Sequence, residues 1–177
     1  MLLHPEVLRR LRAELATVTG AEPLQPEHLP RLEYLDAIIK ETLRQRPIIP
    51  IVARMVAKPF RLGEYEMPIG AIVAPCIALT QSRPDLYPEP ERFSPERFVG
   101  QRSDPYGWFP FGGGVRRCVG MAFAVYEMKI VLATWLGRGE LALEKPGALE
   151  RVRRGISLAP KGGTRIVLRQ RREILRA

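Results

Sequence analysis

The stretch FPFGGGVRRCVGMAFAVYEMKIVLATWL, residues 109–136, places three consecutive glycines and two arginines directly ahead of a single cysteine, then runs into an apolar segment. That segment carries helical spacing and predicts a helix over about 118–137. Gly112, Gly113 and Gly114 leave the loop without side chains, so backbone amides can approach the sulfur of Cys118. A thiol at the start of a helix is ionised more readily there, because N–H groups and the positive end of the helix dipole face it. Arg116 offers a fork of donors to a carboxylate. A cysteine in this place also reads as a small buried apolar side chain. The pattern Phe111-x-x-Gly114-x-Arg116-x-Cys118-x-Gly120 has five fixed positions. At background residue frequencies a chance match in a chain of this length is on the order of 10⁻⁵.

Counting ligands narrows the chemistry of that sulfur. Zinc or an iron–sulfur cluster needs three or four Cys or His side chains. The sequence offers Cys76, His4 and His28 far from Cys118, and no CxxC. One thiolate suffices for a metal that brings its other ligands with it, as haem does.

The 177 residues, 46% of them hydrophobic, are enough for one globular unit with a core. Two cysteines exclude a disulfide-built fold and fit a reducing, cytoplasmic setting. No apolar run is long enough for a signal peptide core or a membrane span, the longest, Ala71 to Leu79, being broken by Pro75. The net charge of +9 sits almost wholly in residues 151–177, which hold nine Lys or Arg against Glu173. That stretch lacks interleaved aromatics, a zinc pattern and helix-turn-helix spacing, so it reads as a solvated face before a nucleic-acid grip. Its better use is steering an acidic protein partner, with Arg151, Arg153 and Arg154 foremost.

Helices are expected at both ends of a strand-rich middle. HPEVLRRLRAELATVTG sets Val7, Leu8, Leu11 and Leu15 on one face, with Pro5 in the first turn and Gly20 at the end. LPRLEYLDAIIKETLRQRP repeats the spacing through Leu32, Leu35, Ile38, Ile39, Thr42 and Leu43, and Pro47 stops it. IVARMV, FRLGEYEMP and AIVA predict a small antiparallel sheet over 51–74. Six prolines between 80 and 110 exclude regular structure there, while the aromatics among them predict an ordered, packed loop. Short strands are expected near 139–144 and 164–169.

With these residues in view, the chain resembles the C-terminal part of the cytochrome P450 family, the haem-thiolate monooxygenases. The cysteine loop matches that family's signature at each fixed position. Glu41 and Arg44, in KETLRQRP, match its helix K Glu-x-x-Arg motif, and Arg97, in FSPERF, matches the meander arginine that joins them in a buried triad. PERF occurs twice, at 90–93 and 95–98, and the Phe-x-Pro-Glu-Arg-Phe frame selects Arg97 over Arg92. Without the resemblance, Glu41 and Arg44 would be an exposed ion pair worth about 0.2–0.5 kcal/mol.

The resemblance implies a mainly α fold with small antiparallel β-sheets, residues 1–177 being a single partial domain without the distal oxygen-activating helix. It implies haem b (iron protoporphyrin IX) on Cys118, with Phe111, Gly112, Gly114 and Gly120 around it and Arg54 and Arg116 on its propionates. It implies O2 and an apolar small-molecule substrate, with electrons from an external reductase or ferredoxin. Ile48, Ile49, Ile51 and Val52 match a pocket-lining stretch, and would look the same in a buried strand. Two other readings stay open: a haem-binding module without turnover, and a basic nucleic-acid-binding domain.

Overall fold

The computed structural model describes residues 1–20, 22–147 and 149–171. Arg172 and Arg176 of the basic stretch lie outside the described residues. Helix α1 (Pro5–Thr19) begins on the proline, whose fixed φ and missing N–H suit a first turn. It ends at Gly20, φ 59°, whose N–H reaches the Ala16 carbonyl. It buries Val7, Leu11 and Leu15, residues four apart that stack on one face.

A 3₁₀ turn over Pro26–Arg31 leads into α2 (Glu33–Gln45), the central element of the core. Leu35, Ile38, Ile39 and Leu43 are buried as their spacing predicts, whereas Thr42 is exposed and returns its hydroxyl to the Ile38 carbonyl. The residue before α2 is Leu32, which cannot cap the helix. Glu14 of α1 does so instead: its carboxylate accepts the backbone N–H of Tyr34 at 2.6 Å and of Leu35 at 3.0 Å. A negative charge there satisfies two orphan donors and complements the helix dipole.

The segment 51–74 forms two separate two-stranded ribbons, not one sheet. Strand β1 (Arg54–Met55) pairs with β4 (Ile72–Val73), and β2 (Phe60–Leu62) pairs with β3 (Tyr65–Met67). The inner hairpin is closed at Gly63, φ 60°, and each ribbon stays short because Pro59 and Pro68 interrupt the ladder between them. A four-residue helix, α3 (Ile77–Thr80), opens the proline-rich loop, which is ordered around a second 3₁₀ turn at Pro95–Phe98. Its aromatics Tyr87 and Phe98 join Trp108 in the core, with Phe98 and Trp108 edge to face at 6.2 Å.

Helix α4 (Met121–Arg138) starts three residues later than the spacing predicts. The backbone N–H of Cys118 is taken by the Phe111 carbonyl at 2.9 Å, so the cysteine belongs to the loop and Gly120 precedes the first turn. Ala133 and Leu136 enter the core, whereas Phe123, Tyr126 and Trp135 are exposed. Asp36 ties α2 to α4, meeting Lys129 at 3.0 Å and its own helix's Lys40 at 2.8 Å. Strand β5 (Gly139–Leu143) then pairs with β8 (Ile166–Arg171). Between them lies a hairpin that was not expected: β6 (Arg151–Arg154) and β7 (Ser157–Pro160), turning at Gly155, φ 61°. The Leu158 N–H donates to the Ile48 carbonyl at 2.7 Å, so this hairpin sits against the segment that follows α2. Among the described residues no helix is long and apolar enough to cross a membrane.

Candidate functional site

The cysteine loop is a turn built on glycine. Gly112 (φ 72°) and Gly114 (φ 63°) occupy conformations that side chains with a Cβ rarely adopt, and the Gly112 N–H closes on the Phe109 carbonyl at 2.8 Å. A Cβ added at Gly112, Gly113 or Gly114 would meet nothing within 4 Å, so these positions face open space. The thiol of Cys118 is exposed, and a methyl group at Gly120 would stand 3.8 Å from its sulfur.

Inside the loop lies a cavity of about 430 Å³. Its walls are mostly apolar: Val52, Pro75, Trp108, Phe109, Phe111 and Met121, with Gly112, Gly113 and Gly114 forming one side. Arg54 and Arg117 supply its cations. Of the residues singled out from the sequence, Val52, Arg54, Phe111, Gly112 and Gly114 therefore line one space. Arg116, Cys118 and Gly120 stand beside it on the loop without lining it, whereas Arg117 lines it. Arg117 had no signal in the sequence beyond its neighbour. Ile48 and Ile51, 57% and 50% exposed, are not residues of a buried strand, and Ile49 is half-buried.

Beneath the loop is a buried polar network. Glu41 is 0% and Arg44 1% exposed, and they pair through two bonds, Arg44 Nε to Glu41 Oε2 at 2.7 Å and Nη2 to Oε1 at 2.9 Å. Arg44 Nη1 donates to the Gln81 carbonyl at 2.8 Å and Nη2 to the Pro90 carbonyl at 2.7 Å. Its guanidinium lies 5.0 Å from the centre of the Tyr87 ring, whose phenol is pushed up to about 12 by burial. Glu41 also accepts the Ser94 N–H at 2.9 Å. Arg97 approaches from the 3₁₀ turn with Nε 3.6 Å from Glu41 Oε1, an ion-pair distance too long for a hydrogen bond, and donates through Nη2 to the Glu89 carbonyl at 2.9 Å. The bidentate geometry and the full set of partners are what allow two charges to be held away from water. The family resemblance pointed to Glu41, Arg44 and Arg97, where spacing alone gave an exposed pair, and neither pointed to the Gln81 and Pro90 carbonyls that join them.

The donor chemistry fits one kind of metal group. Among the described residues no three His, Cys, Asp or Glu side chains converge to hold a bare ion. A flat macrocycle carrying its own metal needs one axial donor, an apolar slot and cations for its acid groups. Cys118, the apolar cavity beside its loop, and the arginines Arg54, Arg116 and Arg117 are side chains of the kinds that such a group calls for.

Comparison with known proteins agrees. A family profile described as Cytochrome P450 matches residues 1–165. A Mycobacterium tuberculosis protein named cytochrome P450 137 is 41% identical over 173 residues, covering 97% of this chain and 34% of that protein. Cytochrome P450 135B1 of the same organism is 42% identical over 142 residues, 80% of this chain and 30% of that protein. The solved structure of retinoic acid-bound cyanobacterial CYP120A1 superposes with a TM-score of 0.86 at 32% identity, covering 96% of this chain and 40% of that one. The chain spans about a third of the length of the curated relatives it matches. With the profile spanning nearly all of its residues, and with the glycine-framed cysteine, the Glu41–Arg44 pair and the topology in agreement, the chain belongs to the cytochrome P450 family.

Proposed function

We propose that this chain is the haem-binding part of a haem-thiolate monooxygenase, with Cys118 as the axial ligand. The observation that carries the reading is the thiol on a glycine loop beside an apolar, arginine-edged cavity. Haem b held by a thiolate supplies, when bound, the activation of O2 and transfer of one oxygen atom to an apolar organic substrate, with electrons from an external reductase or ferredoxin.

The chain's own residues prepare that site. Cys118 offers its sulfur from a loop whose backbone is tied by the Cys118 N–H to the Phe111 carbonyl. Phe109, Phe111 and Trp108 keep water from the inner side of the loop, and the missing side chains at residues 112–114 leave a flat surface. Arg54, with Arg116 or Arg117, holds the carboxylates at the rim. Glu41, Arg44 and Arg97 tie the end of α2 to the stretch from residue 81 to 94 that leads to the loop. The exposed Ile48 and Ile51, with Val52, suit an apolar substrate wall, and the basic strand Arg151–Arg154 suits an acidic electron donor.

The test is reconstitution with haem, followed by reduction under CO. The wild-type chain is expected to show the long-wavelength Soret band of a ferrous thiolate–CO complex, and Cys118→Ser to lose it with an unchanged far-ultraviolet CD spectrum. Identical spectra for the two proteins would refute the ligand assignment. A second reading, for this chain on its own, is a haem-binding module without turnover, since it spans only about a third of the length of its curated relatives. An intact thiolate–CO band together with NADPH oxidation that yields no product distinguishes it.

A further inference from the structure

Three polar side chains stand out among the buried residues: Glu41, Arg44 and Gln81. The first two belong to the charged network, to which Gln81 lends only its backbone carbonyl. Each hydrogen-bonding atom of its side chain is engaged. Its Nε2 donates to the carbonyls of Leu43 at 3.2 Å and Arg44 at 3.1 Å. Its Oε1 accepts the backbone N–H of Phe109 at 3.1 Å.

The partners differ in kind. Helix α2 ends at Gln45, and its last internal bond runs from the Arg46 N–H to the Thr42 carbonyl. The Leu43 and Arg44 carbonyls are therefore orphans of the helix end, which the Gln81 amide satisfies. Phe109 stands two residues before Phe111, whose carbonyl takes the Cys118 N–H at 2.9 Å. One side chain thus joins the end of the helix bearing Glu41 and Arg44 to the backbone on which the cysteine hangs. The indole N–H of Trp108, bonded to the Lys40 carbonyl at 3.0 Å, is a parallel tie from the adjacent residue.

We propose that Gln81 is a positioning residue for the thiolate ligand: by bridging the end of α2 to Phe109 it fixes the height and orientation at which the Cys118 loop presents its sulfur. The proposal rests on the haem-thiolate reading above. It follows from the satisfaction of donors and acceptors, because a glutamine bonded on both sides in a dry interior cannot move one partner without exposing the other.

The experiment compares the haem-loaded wild-type chain with Gln81→Leu, close in shape but without hydrogen bonds, and Gln81→His, which keeps one donor and one acceptor. The readouts are the ferrous–CO Soret band and the rate of haem transfer to excess apomyoglobin, both well below the melting temperature. Loss of the bridge is expected to speed haem release about tenfold in Gln81→Leu, the equivalent of one net hydrogen bond, and to shift a large share of the CO band to shorter wavelength. Gln81→His is expected to stay within about threefold of wild type. A Gln81→Leu chain with wild-type band and release rate, and only a lower melting temperature, overturns the proposal. If Gln81→Leu does not fold, Gln81→Asn replaces it, being one methylene too short to reach both sides; the same losses are expected, and an unaltered band and release rate overturn the idea. If the wild-type chain itself gives no thiolate band, it is the haem-thiolate reading that fails.

Discussion

Replacing Glu41 by glutamine tests whether the charges beneath the cysteine loop are held away from water. The carboxylate meets Arg44 at 2.7 and 2.9 Å, Ser94 at 2.9 Å and Arg97 at 3.6 Å, with none of its surface exposed. A glutamine keeps one acceptor, turns the other oxygen into a donor facing donors, and leaves Arg44 charged and 1% exposed. Stranding a buried charge in this way costs about 3–5 kcal/mol. The same residues as an exposed i, i+3 pair would lose only about 0.2–0.5 kcal/mol. Since domains of this size have total stabilities of about 5–15 kcal/mol, the variant is expected to lie close to its unfolding threshold. Its melting temperature should fall by roughly 6–20 °C, at about 2–4 °C per kcal/mol for chains of this length. Urea unfolding followed by far-ultraviolet CD, at low and at high salt, measures the loss. A difference below about 1 kcal/mol, or one that shrinks with salt as a screened surface pair does, refutes the buried network.

Two further outcomes are expected elsewhere in the core. Glu14→Gln weakens the cap that α1 lends to α2 and should cost about 1–2 kcal/mol, with hydrogen exchange accelerating at the Tyr34 and Leu35 amides ahead of the rest of the helix. Unchanged exchange at those two amides would dismiss the cap. Burial alone would raise the pKa of Asp36, but Lys40 and Lys129 outweigh it and hold the carboxyl below its ordinary 3.8. A depressed carboxylate stabilises the fold above its unfolded-state value and loses that contribution as pH falls through the lower folded-state value. Wild type should therefore exceed Asp36→Asn in urea midpoint at neutral pH, and the two should converge below about pH 4. A gap that stays constant into acid contradicts the assignment.

What could be read from the sequence was what lies within one turn of helix or one loop. Val7, Leu11 and Leu15, or Leu35, Ile38 and Leu43, announce their buried face through spacing, and the cysteine loop through five fixed positions. What the sequence did not show depends on partners far along the chain. Glu14 caps a helix that begins nineteen residues later, with no local mark of doing so. Gln81, in a proline-flanked stretch, carries no local mark of its bonds to the end of α2 and to Phe109. The Arg151–Pro160 hairpin was hidden by its charge, since a run of arginines reads as a solvated face, although Gly155 before Ile156 was a signal for a two-residue turn. Helix α4 begins late because Arg117 is held in an extended conformation, ψ 145°, so helical turns start only beyond Gly120. Arg117, and not its neighbour Arg116, lines the cavity for a similar reason, since side-chain direction on a glycine-built turn cannot be counted out from spacing.

The partners of Arg44 arrive from three places, its own helix, residue 81 and residue 90, while Ser94 completes the carboxylate it holds. Until the stretch from 81 to 94 has docked, α2 would carry an ionised guanidinium into an unfinished interior, which is too unfavourable to persist. Docking of the proline-rich loop and consolidation of α2 are thus one event, and the two should open together as a single cooperative unit, so that a protease able to cut near Pro90 finds its target only when α2 has also come loose.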